Sequence, residues 1–225
     1  MKLLHCITRS IILIALIAAQ PAFAENTATT LSDLLNSTRS MRAHFTQTIF
    51  DNHGKAVQRS TGKMAMARPG KFRWEVIKPI PQLIIANEPT LWIYDADLQQ
   101  VTIRSLKKET GEAPALLLSH VGDQLEKDFT VQNRAATVRE RHSSTPTAER
   151  WFSLFPKKND SMFKKIEIGF KENKVYQMRL TDNLGHATLI QFEHIEINIP
   201  LPPSLFSFKP PAHVDVIREN QTLQQ

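Results

Sequence analysis

The sequence predicts an α+β fold built on one large antiparallel sheet, and three observations carry that prediction. From Ala43 onward the apolar residues recur with a period of two, the spacing of a strand that buries one face. The strand-like segments follow one another through short links rich in Asp, Asn, Gly and Pro, which favours antiparallel neighbours. The alternation fails before Ala43 and again between Glu112 and Asp128, where leucines recur at helical spacing. About a dozen strands make a sheet that must curl, and one closed by a helix or two gives a barrel-like domain.

Taken in order, Thr29 to Met41 reads as a helix. Leu31, Leu34, Leu35, Thr38 and Met41 form a narrow apolar stripe, with Thr29 or Thr30 as the cap. Strands are expected at His44–Phe50, Val57–Arg68, Lys71–Lys78, Gln82–Asn87, Leu91–Tyr94 and Gln99–Arg104. The first ends at Asp51-Asn52-His53-Gly54, a turn cluster whose glycine tolerates positive φ. Leu116, Leu117, Leu118, Val121 and Leu125 then suit one or two short helices, opened by Pro114 and interrupted near Gly122. Strands resume at Phe129–Asn133, Arg150–Phe155, Met162–Phe170, Lys174–Thr181, His186–Ile197 and Leu205–Phe208. In His186–Ile197 the apolar phase changes between Phe192 and Ile195, which predicts a bulge near His194. There is no internal repeat.

The N-terminus reads as a secretory signal peptide. Lys2 and Arg9 are basic, Ile11 to Ala19 is a short apolar run, and Ala22-Phe23-Ala24 is a small-residue cleavage pattern. An uncleaved membrane anchor is the rival reading, but the run is short for a bilayer. Cleavage after Ala24 leaves residues 25–225 as one domain, with residues 200–225 as a Pro-rich C-terminal tail. Cys6, the one cysteine, lies before the apolar run and not at the cleavage point, where a lipid-bearing cysteine belongs. The expected product therefore carries no lipid, no disulfide and no thiolate metal site. Of 28 basic and 22 acidic residues, only Lys2 and Arg9 fall in the leader, so an excess of four positive charges remains, well interspersed. That pattern suits a solubilised surface or a weak preference for anionic partners, not nucleic acid.

Signatures of catalysis are missing from the sequence. His44, His53, His120, His142, His186, His194 and His213 are scattered, and none makes an HExxH pair. His142-Ser143-Ser144 lies in loop-like composition without a G-x-S-x-G elbow, and no glycine cluster could cradle phosphate. A non-enzymatic protein with neither cofactor nor metal is expected.

What does stand out is the run from Thr61 to Val76. Met64, Met66 and Arg68 share one face of a strand, and after Pro69-Gly70 so do Phe72, Trp74 and Val76. Methionines and aromatics at such positions, Trp92, Tyr94 and Trp151 included, are ordinary core filler. Methionine is also the adaptable residue of hydrophobic binding surfaces. Arg68 bears on the choice, because a guanidinium keeps its charge and is costly to bury without partners. Either it turns outward at a strand end before Pro69, or it holds acceptors across a gap in a surface that opens.

The order of leader, helix, G-x-M-x-M-x-R-P-x-x-F-R-W (Gly62 to Trp74), L-W-I-Y-D (Leu91 to Asp95), Pro114 to Leu118 and F-x-F-x-P-P-x-x-V-D-V-I (Phe206 to Ile217) resembles the LolA family of periplasmic lipoprotein carriers. One departure is Asn87-Glu88-Pro89, where the family usually has an Asp-Gly turn. The resemblance implies an incomplete, unclosed antiparallel β-barrel of about 11 strands, with a helical lid over an apolar cavity. It implies that Arg68 latches lid to barrel through backbone carbonyls and serves lipid release, and that Phe72 stands at a partner-facing rim. The acyl-binding wall then falls to Met64, Met66, Trp74 and Trp92, and the lid to Leu31, Leu34, Leu35, Leu116, Leu117 and Leu118. Implied partners are triacylated outer-membrane lipoproteins, an inner-membrane ABC lipoprotein-releasing complex and an outer-membrane lipoprotein receptor, met by a monomer in the periplasm. The rival is a periplasmic sensor or regulatory domain of the same fold that binds lipid or lipoprotein as a signal. A second domain would favour that rival.

Overall fold

The structure, a computed structural model, describes residues 26–106, 115, 117–120, 125–135, 150–158 and 161–219. The expected leader, Leu116 and His142-Ser143-Ser144 lie outside the described residues. Among the described residues, three helices, α1 (Thr27–Asn36), α2 (Leu117–His120) and α3 (Leu125–Asp128), accompany twelve strands. The first six strands are β1 (Ser40–Phe50), β2 (Ala56–Ala67), β3 (Lys71–Lys78), β4 (Gln82–Asn87), β5 (Thr90–Asp95) and β6 (Gln100–Ser105). The others are β7 (Phe129–Arg134), β8 (Arg150–Pro156), β9 (Phe163–Lys171), β10 (Lys174–Asp182), β11 (Ala187–Ile197) and β12 (Asp215–Arg218). No helix among the described residues is long and apolar enough to cross a membrane.

All twelve strands form one sheet in the order β12-β6-β5-β4-β3-β2-β1-β11-β10-β9-β8-β7. The edge strands β12 and β7 do not pair, so the barrel stays unclosed. The chain meanders from β1 out to β6, crosses to the far edge at β7, and meanders back until β11 pairs with β1. The crossing carries α2 and α3. Helices on a connection between opposite edges of a curled sheet are placed to cover its open side, and α1 lies beside them against β7 and α3. The lid thus follows from connectivity.

Inside the curl, Met41, Phe45, Met64, Met66, Phe72 and Trp74 join leucines of all three helices in one buried cluster. The Phe45 and Trp74 rings stack with centroids 3.6 Å apart, and Phe72 lies parallel to Trp74 at 6.2 Å. The bulge falls where the phase change predicts it. Between the pairs Arg42–Glu196 and His44–Glu193 the register shifts by one residue, and His194 takes φ 51°.

Three elements depart from expectation. Helix α1 ends at Asn36, not Met41, and Met41 is a buried strand residue paired with Met66. Its cap is Asn26, whose side chain accepts the Ala28 N–H at 3.1 Å, in place of Thr29 or Thr30. Leu205–Phe208 is not a strand: Pro203–Phe206 forms a 3₁₀ turn, entered from Pro202. Prolines there supply no N–H to a ladder. The tail beyond it returns to the sheet as β12, the single parallel neighbour, alongside β6.

Candidate functional site

Arg68 follows β2 directly, and its own N–H donates to the Arg39 carbonyl at 2.9 Å. That bond fixes the backbone beneath α1 and aims the side chain along the seam between sheet and helices. Its Nε donates to the Thr38 carbonyl at 3.1 Å, while Nη2 donates to those of Leu35 at 3.2 Å and Leu118 at 2.7 Å. One guanidinium therefore ties β2 to the C-terminal end of α1 and to α2. The last carbonyls of a helix lack partners within it and carry the negative end of its dipole. Helix α1 has no basic residue in its own last turn, so Arg68 supplies that charge from the sheet. Burial pulls the Arg68 guanidinium below its ordinary value; guanidinium starts so high that the group stays charged at neutral pH. Of the two readings of Arg68, the structure shows the one that holds acceptors across a gap.

The seam is held at other points. Asn26 donates to Glu126 of α3 at 3.0 Å, and Asn133 of β7 donates to Thr27 of α1 at 3.2 Å. Asn198 was not singled out in the sequence. Its side chain donates to the Ser37 carbonyl at 2.9 Å and accepts the Arg39 N–H at 2.8 Å, and its own N–H donates to the Ser40 carbonyl at 2.8 Å. A left-handed backbone, φ 57°, makes this possible, and asparagine tolerates that conformation. The readable signal was an asparagine followed two residues later by proline at a strand end.

Met64 pairs with Trp74 and Met66 with Phe72 across β2 and β3, all four buried on the inner face. Phe72 is fully buried beside Trp74, so it is an inner-wall residue and not the rim residue expected. It sits between Lys71 and Arg73, and parity turns those two outward instead. Trp92 also departs from expectation. Its neighbours Leu91 and Ile93 enter the inner cluster, while Trp92 is half-buried and pairs with Ile85 and Ile103 on the outer face. Leu31, Leu35 and Leu118 are buried against the inner wall, Leu34 packs partly on it, and Leu117 opens α2. Phe45, Ile84, Leu91 and Ile93 complete that wall and were not among the residues proposed from sequence.

With Arg68 engaged, the apolar interior is packed shut by the helix leucines and the stacked rings. A groove of about 350 Å³ opens instead on the outer face, lined by Arg42, His44, Lys63, Arg73, Glu75 and His194 among others. Two ion pairs, Arg42–Glu196 at 2.6 Å and Arg73–Glu75 at 2.9 Å, lie among its lining residues, beside Ala43, Ala65 and Leu205. The arrangement as a whole is an apolar wall covered by helices that polar ties hold to the sheet.

The family model for outer membrane lipoprotein carrier protein LolA matches residues 36–209. An outer-membrane lipoprotein carrier protein of Dechloromonas aromatica is 40% identical over 84% of this chain and 86% of its own length. One from Methylococcus capsulatus is 39% identical over 88% of this chain and 92% of its own. Among solved structures, an uncharacterized conserved protein from Thermus thermophilus shares the fold at a TM-score of 0.54 and 11% identity, covering 86% of this chain and all of that one. A match of this extent, with relatives this similar along nearly their whole length, means that the chain belongs to the LolA family of outer membrane lipoprotein carrier proteins.

Proposed function

We propose that this protein is a periplasmic carrier that shields the acyl chains of lipoproteins leaving the inner membrane and hands them to a receptor at the outer membrane. The name carried by its relatives supports this reading, and one observation carries it: Arg68 closes α1 and α2 over an apolar wall through three backbone carbonyls. A triacylated N-terminus holds on the order of 45 CH₂ groups, and at roughly 0.8 kcal/mol each their exposure costs about 35 kcal/mol. Such a lipid needs an escort through water, yet the escort must release it. A closed empty state that competes with the loaded one meets both needs, because the ties re-formed on closure offset part of the binding energy. Met64, Met66, Phe72 and Trp74 form the acyl-contacting wall once Leu31, Leu35 and Leu118 swing away. Residues 1–24 act as the export signal, and a monomer receives its cargo from an ABC releasing complex.

The test is a two-step transfer assay on Arg68→Leu. The substitution removes the ties and places an apolar side chain at the seam. Loading from inner-membrane vesicles should persist or tighten, and delivery to the outer-membrane receptor should fall by orders of magnitude, since charge-assisted bonds contribute about 1.5–3 kcal/mol each. Arg68→Lys should restore delivery only in part, because an ammonium cannot fork between carbonyls. Collapse of loading with normal delivery of whatever is bound would make Arg68 a docking residue and not a latch.

A further inference from the structure

Consecutive antiparallel strands send their links alternately to the two ends of the sheet. Among the described residues, the end that carries Arg68 has the links Pro69-Gly70, Glu88-Pro89 and Glu172-Asn173, which are small or polar. The opposite end has the links β1–β2, β3–β4, β5–β6, β8–β9 and β10–β11. Six of the eight exposed large apolar side chains among the described residues lie on these links or within two residues of them: Val57, Ile77, Ile80, Leu98, Met162 and Leu184. The other two, Val216 and Ile217, are on β12. Single exposed apolar residues are unremarked on any surface, but six of the eight described ones gathered at one end are not.

Three of the links touch. Asn183 donates to the Ser161 carbonyl at 2.9 Å, and a Cβ on Gly185 would lie 3.5 Å from Asn52. Leu184, 74% exposed, and Met162, 57% exposed, thus project from one contiguous surface. Around them Lys55, Arg59, Lys157, Lys158 and Lys164 are exposed. Two carboxylates stand beside them and keep their charge while capping their own turns. Asp51 accepts the N–H groups of His53 and Lys55, and Asp182 those of Leu184 and His186. Among the described residues of this corner, five cations outnumber the two carboxylates, Asp51 and Asp182.

We propose that this end of the half-barrel is a membrane-docking surface that settles on bilayers containing anionic lipid. Protruding aliphatic tips ringed by lysines fit an interface between headgroups and acyl chains. A protein partner would more naturally be met by a hollow with Trp, Tyr or Arg anchors, which these links lack. The surface is separate from the interior, so the inference holds whether or not the interior takes acyl chains.

The experiment is sedimentation of the exported protein with lipoprotein-free vesicles. One set is phosphatidylcholine alone, and the other an equal mixture of phosphatidylcholine and phosphatidylglycerol. Binding is expected to the mixed vesicles, and to weaken as salt is raised. Leu184→Asp combined with Met162→Asp should lower the partition coefficient at least about tenfold, as expected for losing buried aliphatic side chains. Val216→Asp combined with Ile217→Asp, on the other exposed apolar pair, should leave it unchanged. Both pairs are on the surface, so each variant is expected to fold, and a thermal melt checks this. No binding to the mixed vesicles, or an equal loss in the β12 variant, overturns the proposal.

Discussion

Arg68 and Gly62 shape the same wall in opposite ways, one by reaching and one by having nothing to reach with. Gly62 is the cross-strand partner of Phe45, and a Cβ there would run into the Phe45 ring and the Glu75 carbonyl. The missing side chain lets Phe45 lie flat and stack on Trp74. Gly62→Ala should therefore lower stability by about 1–3 kcal/mol, the usual cost of overpacking, read as a drop in the urea midpoint at unchanged slope. An unchanged midpoint would mean that the stack is not held as described. Arg68 was legible in the sequence because it breaks the period of its own stripe. Trp92 was not, because Leu91 to Tyr94 is apolar on both parities and alternation cannot choose a face. What decides is remote: the outer face of β3 and β4 is covered by the Pro203–Phe206 turn, Ile85 is buried there, and Tyr94 meets Phe208 at 5.7 Å. Phe72 went the other way for a related reason. Its spacing assigns it to the buried stripe, and the structure follows the spacing.

At the scale of elements, the strand pattern and the β11 bulge were readable because each depends on neighbours in sequence. The end of α1 was not. Thr38 and Met41 fit a helical stripe as well as a strand, and the choice is made by partners far along the chain: Arg68 at Thr38, Met66 beside Met41, and Asn198 at Ser37 and Arg39. Asn198 thus ties the C-terminal end of α1 to β11, as Arg68 ties it to β2. Asn198→Ala removes two side-chain hydrogen bonds at about 1 kcal/mol each and adds strain at a positive φ. Asn198→Gly removes the same bonds without the strain. Amide exchange should quicken in α1 for both variants, more for alanine, while β1, β2 and β11 away from the junction keep their protection. Equal protection of α1 in both variants and the parent would remove Asn198 from this role.

For the whole molecule, the Pro-rich tail belongs to the sheet. Pro200-Leu201-Pro202-Pro203 reads as the start of a Pro-rich tail, and the chain beyond it packs on β3 and β4 and supplies one edge of the sheet. The two pieces of that tail are bound unequally. Phe206 is 1% exposed against β3 and β4, and Arg73 reaches the Leu205 carbonyl at 3.5 Å. Strand β12 has all four residues exposed and is held by its ladder to β6 and an Arg104–Glu219 ion pair at 3.5 Å. Burial of an aromatic outweighs an edge ladder whose side chains are exposed: removing a buried Phe side chain costs about 3–5 kcal/mol, whereas the ion pair ends on a half-exposed carboxylate, Glu219. Ending the chain after residue 209 should therefore cost little stability. Ending it after residue 199 should cost several kcal/mol, about as much as Phe206→Ala in the full chain or more. Urea unfolding of the two truncations and the point variant decides this. If the shorter deletion does nearly all the damage, β12 and not the Phe206 turn is what holds the tail to the barrel.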